Sequence, residues 1–196
     1  MKNRHMSKKI DIIGLYLGDY KKTMSGREIA RKMSINHQTA LNCLNELVKD
    51  RALIYQTKGR NKEYSLNLIS LKSKKMVEIA ENAKAIDLIN HKEIGVIIQE
   101  IAEYAESIII FGSFASGSYN SKSDLDIMAI GKADKEKINK IKKRYVREVN
   151  VEYASLKKFE KALISKKSLA IEILKNHVIL GNVSAIVDIF WRWHKR

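Results

Sequence analysis

Two aspartates one residue apart, Asp124-Leu125-Asp126, follow closely on an apolar run that ends in a Gly-Ser turn, Ile108-Ile109-Ile110-Phe111-Gly112-Ser113. Side chains alternate across a strand, so Asp124 and Asp126 share one face while Leu125 and Ile127 share the other. Neighbouring carboxylates repel unless a cation lies between them, and this pair is laid out for a divalent ion of the magnesium type. The turn just before them can offer free backbone N–H groups to a phosphate. A strand, a Gly-Ser turn and a second strand with paired acids are therefore expected over residues 107–130.

Charge frames the rest. The 196 residues carry 37 Lys+Arg against 22 Asp+Glu, a formal net charge of +15. A surplus of this size favours an anionic partner, nucleic acid above all, although a lysine-rich surface also serves solubility. Cys43 is the single cysteine, which excludes an intrachain disulfide and a cysteine-based zinc site. No apolar run approaches the ~18 residues of a membrane span, and the basic segment Met1–Lys9 is not followed by a small-residue cleavage site. The expectation is a soluble, cytoplasmic protein without membrane contact.

The surplus is uneven. Residues 71–100 are balanced, with five basic and five acidic side chains, and lie between two basic stretches. Met76, Ile79, Ala80, Ala83, Ile86 and Ile89 recur near the helical period, so residues 71–91 read as a helical connector. Before it, an apolar helix around Ile10–Leu17 is followed by two capped segments. Ser25 and Glu28 form a capping-box pattern, and Asn36 can cap a helix over His37–Lys49. Two strands, Ala52–Thr57 and Glu63–Leu68, are expected on either side of a Lys58–Lys62 link rich in Gly, Asn and basic residues. Residues 8–70 resemble the winged helix-turn-helix domains of prokaryotic transcription regulators. That resemblance implies DNA as a partner. It puts His37, Gln38, Thr39 and Asn42 toward base edges, and Lys58, Arg60 and Lys62 of the wing on phosphates. It also implies a homodimer reading paired half-sites.

Residues 92–196 alternate helix and strand, an α+β pattern with a small mixed sheet and C-terminal helices. Strands are expected at Ser107–Phe111, Leu125–Ile130 and Arg147–Tyr153, and helices at Lys92–Ala105, Lys135–Tyr145, Leu156–Ile164, Ser168–Leu174 and Val183–Trp191. The pattern Gly112-Ser113-x-Ala115-x-Gly117 with Ser123-Asp124-x-Asp126 resembles the DNA polymerase β-like nucleotidyltransferase superfamily, and more closely its minimal nucleotidyltransferases. The resemblance implies a nucleoside triphosphate, ATP foremost, bound through Gly112, Ser113 and Ser123. It implies Mg2+ held by Asp124 and Asp126, with transfer of a nucleoside monophosphate to a hydroxyl of a protein, such as a partner toxin, of a small molecule or of nucleic acid. A full site of this superfamily carries a third carboxylate on a neighbouring strand, and Glu152 is the candidate. Glutamate stands where aspartate is usual. The alternative is a transcription regulator whose second domain senses nucleotide without turnover.

Overall fold

The computed structural model describes residues 2–196, and side chains from Ser7 onward. Met1 of the basic N-terminal segment lies outside the described residues. Among the described residues, ten helices and two sheets make an α+β protein. The chain divides into two compact units, one running to Ala80 and including His194–Arg196, the other spanning Glu81–Trp193.

In the first unit, α1 (Lys2–Gly14), β1 (Met24–Ser25), α2 (Gly26–Lys32) and α3 (His37–Lys49) precede a hairpin of β2 (Leu53–Lys58) and β3 (Asn61–Leu66). Both expected caps form. Ser25 Oγ accepts from the Glu28 N–H at 3.2 Å, and Asn36 Oδ1 from the Thr39 N–H at 2.7 Å. Ile12, Ile13, Ile29, Leu44, Leu47 and Leu53 are fully buried, and the Tyr16 hydroxyl donates to the Tyr64 carbonyl at 3.0 Å. Burial pushes the Tyr16 phenol well above its ordinary pKa. Lys58 pairs with Asn61, so the hairpin turn is Gly59-Arg60 alone, shorter than the five-residue link the sequence suggests. Gly59, at φ +60°, supplies the left-handed first position that such a two-residue turn requires. The two-residue β1 pairs with β3 and gives the sheet order β1-β3-β2. The helix α4 (Leu71–Ile89) occupies most of the expected connector.

The second unit holds α5 (Gly95–Ala102), β4 (Ala105–Phe111), α6 (Gly112–Ser116), β5 (Leu125–Ala133), α7 (Lys135–Lys142), β6 (Val149–Ala154), α8 (Leu156–Ile164), α9 (Ser168–Lys175), β7 (Val178–Gly181) and α10 (Val183–His194). Its sheet has the order β6-β5-β4-β7, with β5 and β6 parallel and the other pairs antiparallel. One face, built from Ile108, Ile110, Leu125, Ile127 and Val149, shares a core with Ile97, Ile98 and Ile101 of α5 and Ile138 and Ile141 of α7. On the other side α8 packs on β5 and α9 on β4. Sequence reading missed β7, a four-residue strand that closes the sheet edge beside β4.

A buried polar pair ties α4 to the α9–β7 connection. His177 Nδ1 lies 2.9 Å from the Ile173 carbonyl and 3.1 Å from that of Leu174, so this nitrogen carries a proton. Nε2 then faces Glu81 Oε1 at 2.8 Å, both side chains being buried. Lys84 donates to the His177 carbonyl at 2.6 Å. Removing one member strands a polar group in the core. Glu81→Ala is expected to destabilise the second unit by about 3–5 kcal/mol in denaturant unfolding, with Glu81→Gln costing less.

Candidate functional site

Asp126 sits near the start of β5, between two strands. It pairs with Phe111 of β4 on one side and with Asn150 of β6 on the other. Gly112 follows Phe111 with φ +67°, and a Cβ there would stand 2.6 Å from Asp126 Oδ2. Only glycine permits both that backbone conformation and that approach. The other oxygen, Oδ1, accepts from Asn150 Nδ2 at 3.2 Å. Asp124 lies two residues earlier, just ahead of the strand, and both aspartates are half-buried.

Glu152 does not join them. The parallel register puts it opposite Met128, one full alternation beyond Asp126, exposed on the sheet's edge strand. Asn150 occupies the place beside Asp126. Among the described residues no group of three or more His, Cys, Asp or Glu is gathered for a metal ion. Two carboxylates with an all-oxygen donor set, one left uncovered by a side-chain-free glycine, do fit a hard divalent cation.

The segment from α6 to Asp124 is held by its own polar groups. Gly117 closes α6 at φ +76°, and the Ser113 carbonyl accepts from the Ser118 N–H at 3.0 Å and the Ser116 hydroxyl at 3.1 Å. Asn120 Oδ1 accepts from the Lys122 N–H at 2.8 Å, an Asx-type turn. The Ser123 hydroxyl accepts from the Asn120 N–H at 2.9 Å. Ser123, expected at the nucleotide, uses one acceptor position on the turn and keeps its O–H as a donor. Gly112 and Ser113 remain at the start of α6, where the first N–H groups have no partner inside the helix.

Arg147, like Asn150, is a residue that sequence reasoning missed here. One guanidinium nitrogen donates to the Ser123 carbonyl and the other meets Glu93 Oε2 at 2.8 Å. The group also lies 5.3 Å from the centre of the Phe114 ring, on which Tyr119 stacks at 4.6 Å. Its partners are 24 and 54 residues away in sequence, so no local pattern points to it. Beside this corner Lys142, Lys143 and Asn150 border a cavity of about 430 Å3.

In the first unit, Gln38 Nε2 donates to Asn42 Oδ1 at 3.0 Å, so these two expected base readers bond to each other along α3. Thr39 is half-buried and its N–H is taken by the Asn36 cap. Lys58 is exposed on the hairpin, and Lys62 Nζ rests 4.2 Å from the centre of the Tyr55 ring. His37, Arg60 and Lys62 come together on a cavity of about 470 Å3, joined by Arg27 and Asn45, which the sequence reading did not single out.

Residues 92–180 match the family described as a nucleotidyltransferase domain. The match takes in Gly112, Ser113, both aspartates, Asn150 and Glu152, and leaves residues 1–91 outside it. No curated protein and no solved structure matches the chain. Among the described residues no helix is long and apolar enough to cross a membrane.

Gly112→Ala is expected to cost about 1–3 kcal/mol in chemical unfolding, because the new Cβ meets both the left-handed backbone and the Asp126 carboxylate. Arg147→Ala is expected to leave the core intact while amide hydrogen exchange speeds up at residues 120–124. Unchanged exchange there would show that the turn holds itself.

Proposed function

We propose that the second unit transfers a nucleoside monophosphate, AMP from ATP in the first instance, to a deprotonating hydroxyl acceptor with cleavage of the α–β phosphoanhydride and release of pyrophosphate, and that the first unit binds DNA. The observation that carries the first half is the close packing of Gly112 against Asp126, which brings a phosphate-binding turn and a cation-binding carboxylate to one corner of the sheet. The nucleotidyltransferase match over residues 92–180 supports it. In this reading Gly112 and Ser113 take the phosphate end of the triphosphate through backbone N–H groups and the Ser113 hydroxyl. Asp124 and Asp126 hold Mg2+, which when bound supplies charge neutralisation at the triphosphate and a more acidic acceptor hydroxyl. Asn150 orients Asp126 by its hydrogen bond. The cavity bordered by Lys142 and Lys143 offers room for the acceptor.

A second reading rests on Asn150 itself. A neutral amide where a third carboxylate would complete the cation site favours a regulator that binds nucleotide without turning it over. For the first unit, the order of three helices and a basic hairpin supports a winged helix, with α3 presenting His37, Gln38, Thr39 and Asn42 to DNA and Lys58, Arg60 and Lys62 on phosphates.

The deciding experiment incubates the protein with Mg2+ and α-labelled nucleoside triphosphates, with and without a cell extract. Transfer should fall by about 100-fold or more in Asp124→Ala and Asp126→Ala. It should fall by about 10–100-fold in Asn150→Ala, as for other residues that orient a metal ligand. Glu152→Gln should change it little, and a large loss there would restore Glu152 to the cation site. Nucleotide binding without transfer in the wild type, with transfer appearing in Asn150→Asp, would establish the sensing reading. For DNA, Lys58→Ala should lower affinity evenly across sequences and reduce the salt slope by about 1.

A further inference from the structure

The cavity of the first unit lies between α3 and the β2–β3 hairpin, and its lining is one-sided in charge. Arg27, Arg60 and Lys62 border it together with His37, and no carboxylate does. The Arg27 and Arg60 side chains make no hydrogen bond or ion pair among the described residues, and the Lys62 ammonium lies over the Tyr55 ring. Three cations converging on one concavity repel each other until an anion enters. Two of them are guanidinium forks, which match phosphate oxygens in pairs.

The rest of the wall suits a ligand larger than a lone phosphate. The Asn45 and Asn61 side chains add neutral donors, while Leu41 and Tyr64 give an apolar side. Gly26 keeps the floor low. A Cβ there would stand 3.1 Å from Leu41 Cδ2 and 3.5 Å from His37 Nε2, so the imidazole lies down against α2 instead of rising clear of the helix. A volume of about 470 Å3 falls within the ~300–1,000 Å3 of small-molecule sites.

We infer that this cavity is a binding site for a small molecule of nucleotide size bearing two or more phosphates, separate from the corner at Asp126. The inference does not rest on the transferase reading. Backbone phosphates of DNA share the same chemistry, and three of the lining residues are those proposed to meet DNA, so the test separates the two sources.

The test uses the full chain in an Asp126→Ala background and follows the His37 ring and the Asn45 and Asn61 side-chain amides by NMR. One arm adds inorganic tripolyphosphate, a second ADP, and a third a short DNA duplex. Saturable shifts of those resonances with tripolyphosphate and ADP are expected. Arg27→Ala and Arg60→Glu should each weaken them at least about tenfold, the size of a lost charge-assisted hydrogen bond. Arg60→Lys should retain part of the affinity. Both arginines are exposed, so these variants should fold as the parent does, which an unfolding curve checks. Shifts with the duplex alone would overturn the inference and make the cavity a DNA contact. Shifts spread over surface lysines with His37 unmoved, or none at all, would overturn it too.

Discussion

The placement of one carboxylate governs the second unit. The Asp126 carboxylate is set between two neighbours, with Oδ1 held by the amide of Asn150 on β6 and Oδ2 left uncovered because Gly112, just past β4, carries no Cβ. That requires β5 to be paired on both sides at once, antiparallel to β4 and parallel to β6. A shift of register by a single residue on either side would take Gly112 or Asn150 away from the carboxylate. The segment between α6 and β5 follows from the same demand. It must return the chain within a few residues, and it does so through a left-handed Gly117, an Asx-type turn at Asn120 and the Arg147 guanidinium on the Ser123 carbonyl. The short aromatic stack of Phe114 and Tyr119 is the apolar side of that same corner.

What the sequence shows of this corner is what lies within one strand or one turn. Gly112-Ser113 and Asp124-x-Asp126 are legible because each encodes its geometry locally, as a turn and as a two-residue period. Glu152 illustrates where that stops. Parity assigns it to the face of Asp126, and the face is right. Parity carries no information on depth, and the parallel register puts Glu152 one alternation further along than Asp126, with Asn150 in the place beside it. Asn150 drew no attention as a neutral residue in a search for acids. Arg147 is hidden for a related reason, since its partners come from the α6–β5 segment and from the turn before α5, far away in the chain.

Helix limits were easier to read than strands. α3 and α8 cover the expected His37–Lys49 and Leu156–Ile164, and their N-caps Asn36 and Ser155 each accept an N–H three residues on. A cap is a local hydrogen bond, and its signal survives without tertiary structure. Strands β1 and β7 have two and four residues, too few for alternation to stand out. β7 is recognisable only by what it pairs with. Gly181 runs so close to the Glu106 carbonyl that a Cβ would collide, a constraint invisible before β4 is beside it. The buried His177 side chain is equally opaque in the sequence, because its partner is a carboxylate 96 residues away.

Asn150 also changes the electrostatics of the corner it completes. A third carboxylate beside Asp126 would add repulsion that only a bound cation could relieve, so the arrangement would be loose until metal arrived. An amide donates instead, and Asp126 is oriented by a neutral hydrogen bond. Together with Gly112 on the other oxygen, this makes the carboxylate's position a property of the folded sheet. Such a site gives up one negative charge toward a catalytic cation and gains a corner formed before any ligand binds. In the proposed reading, the balance between those two effects separates transfer from sensing, and it rests on a single side chain.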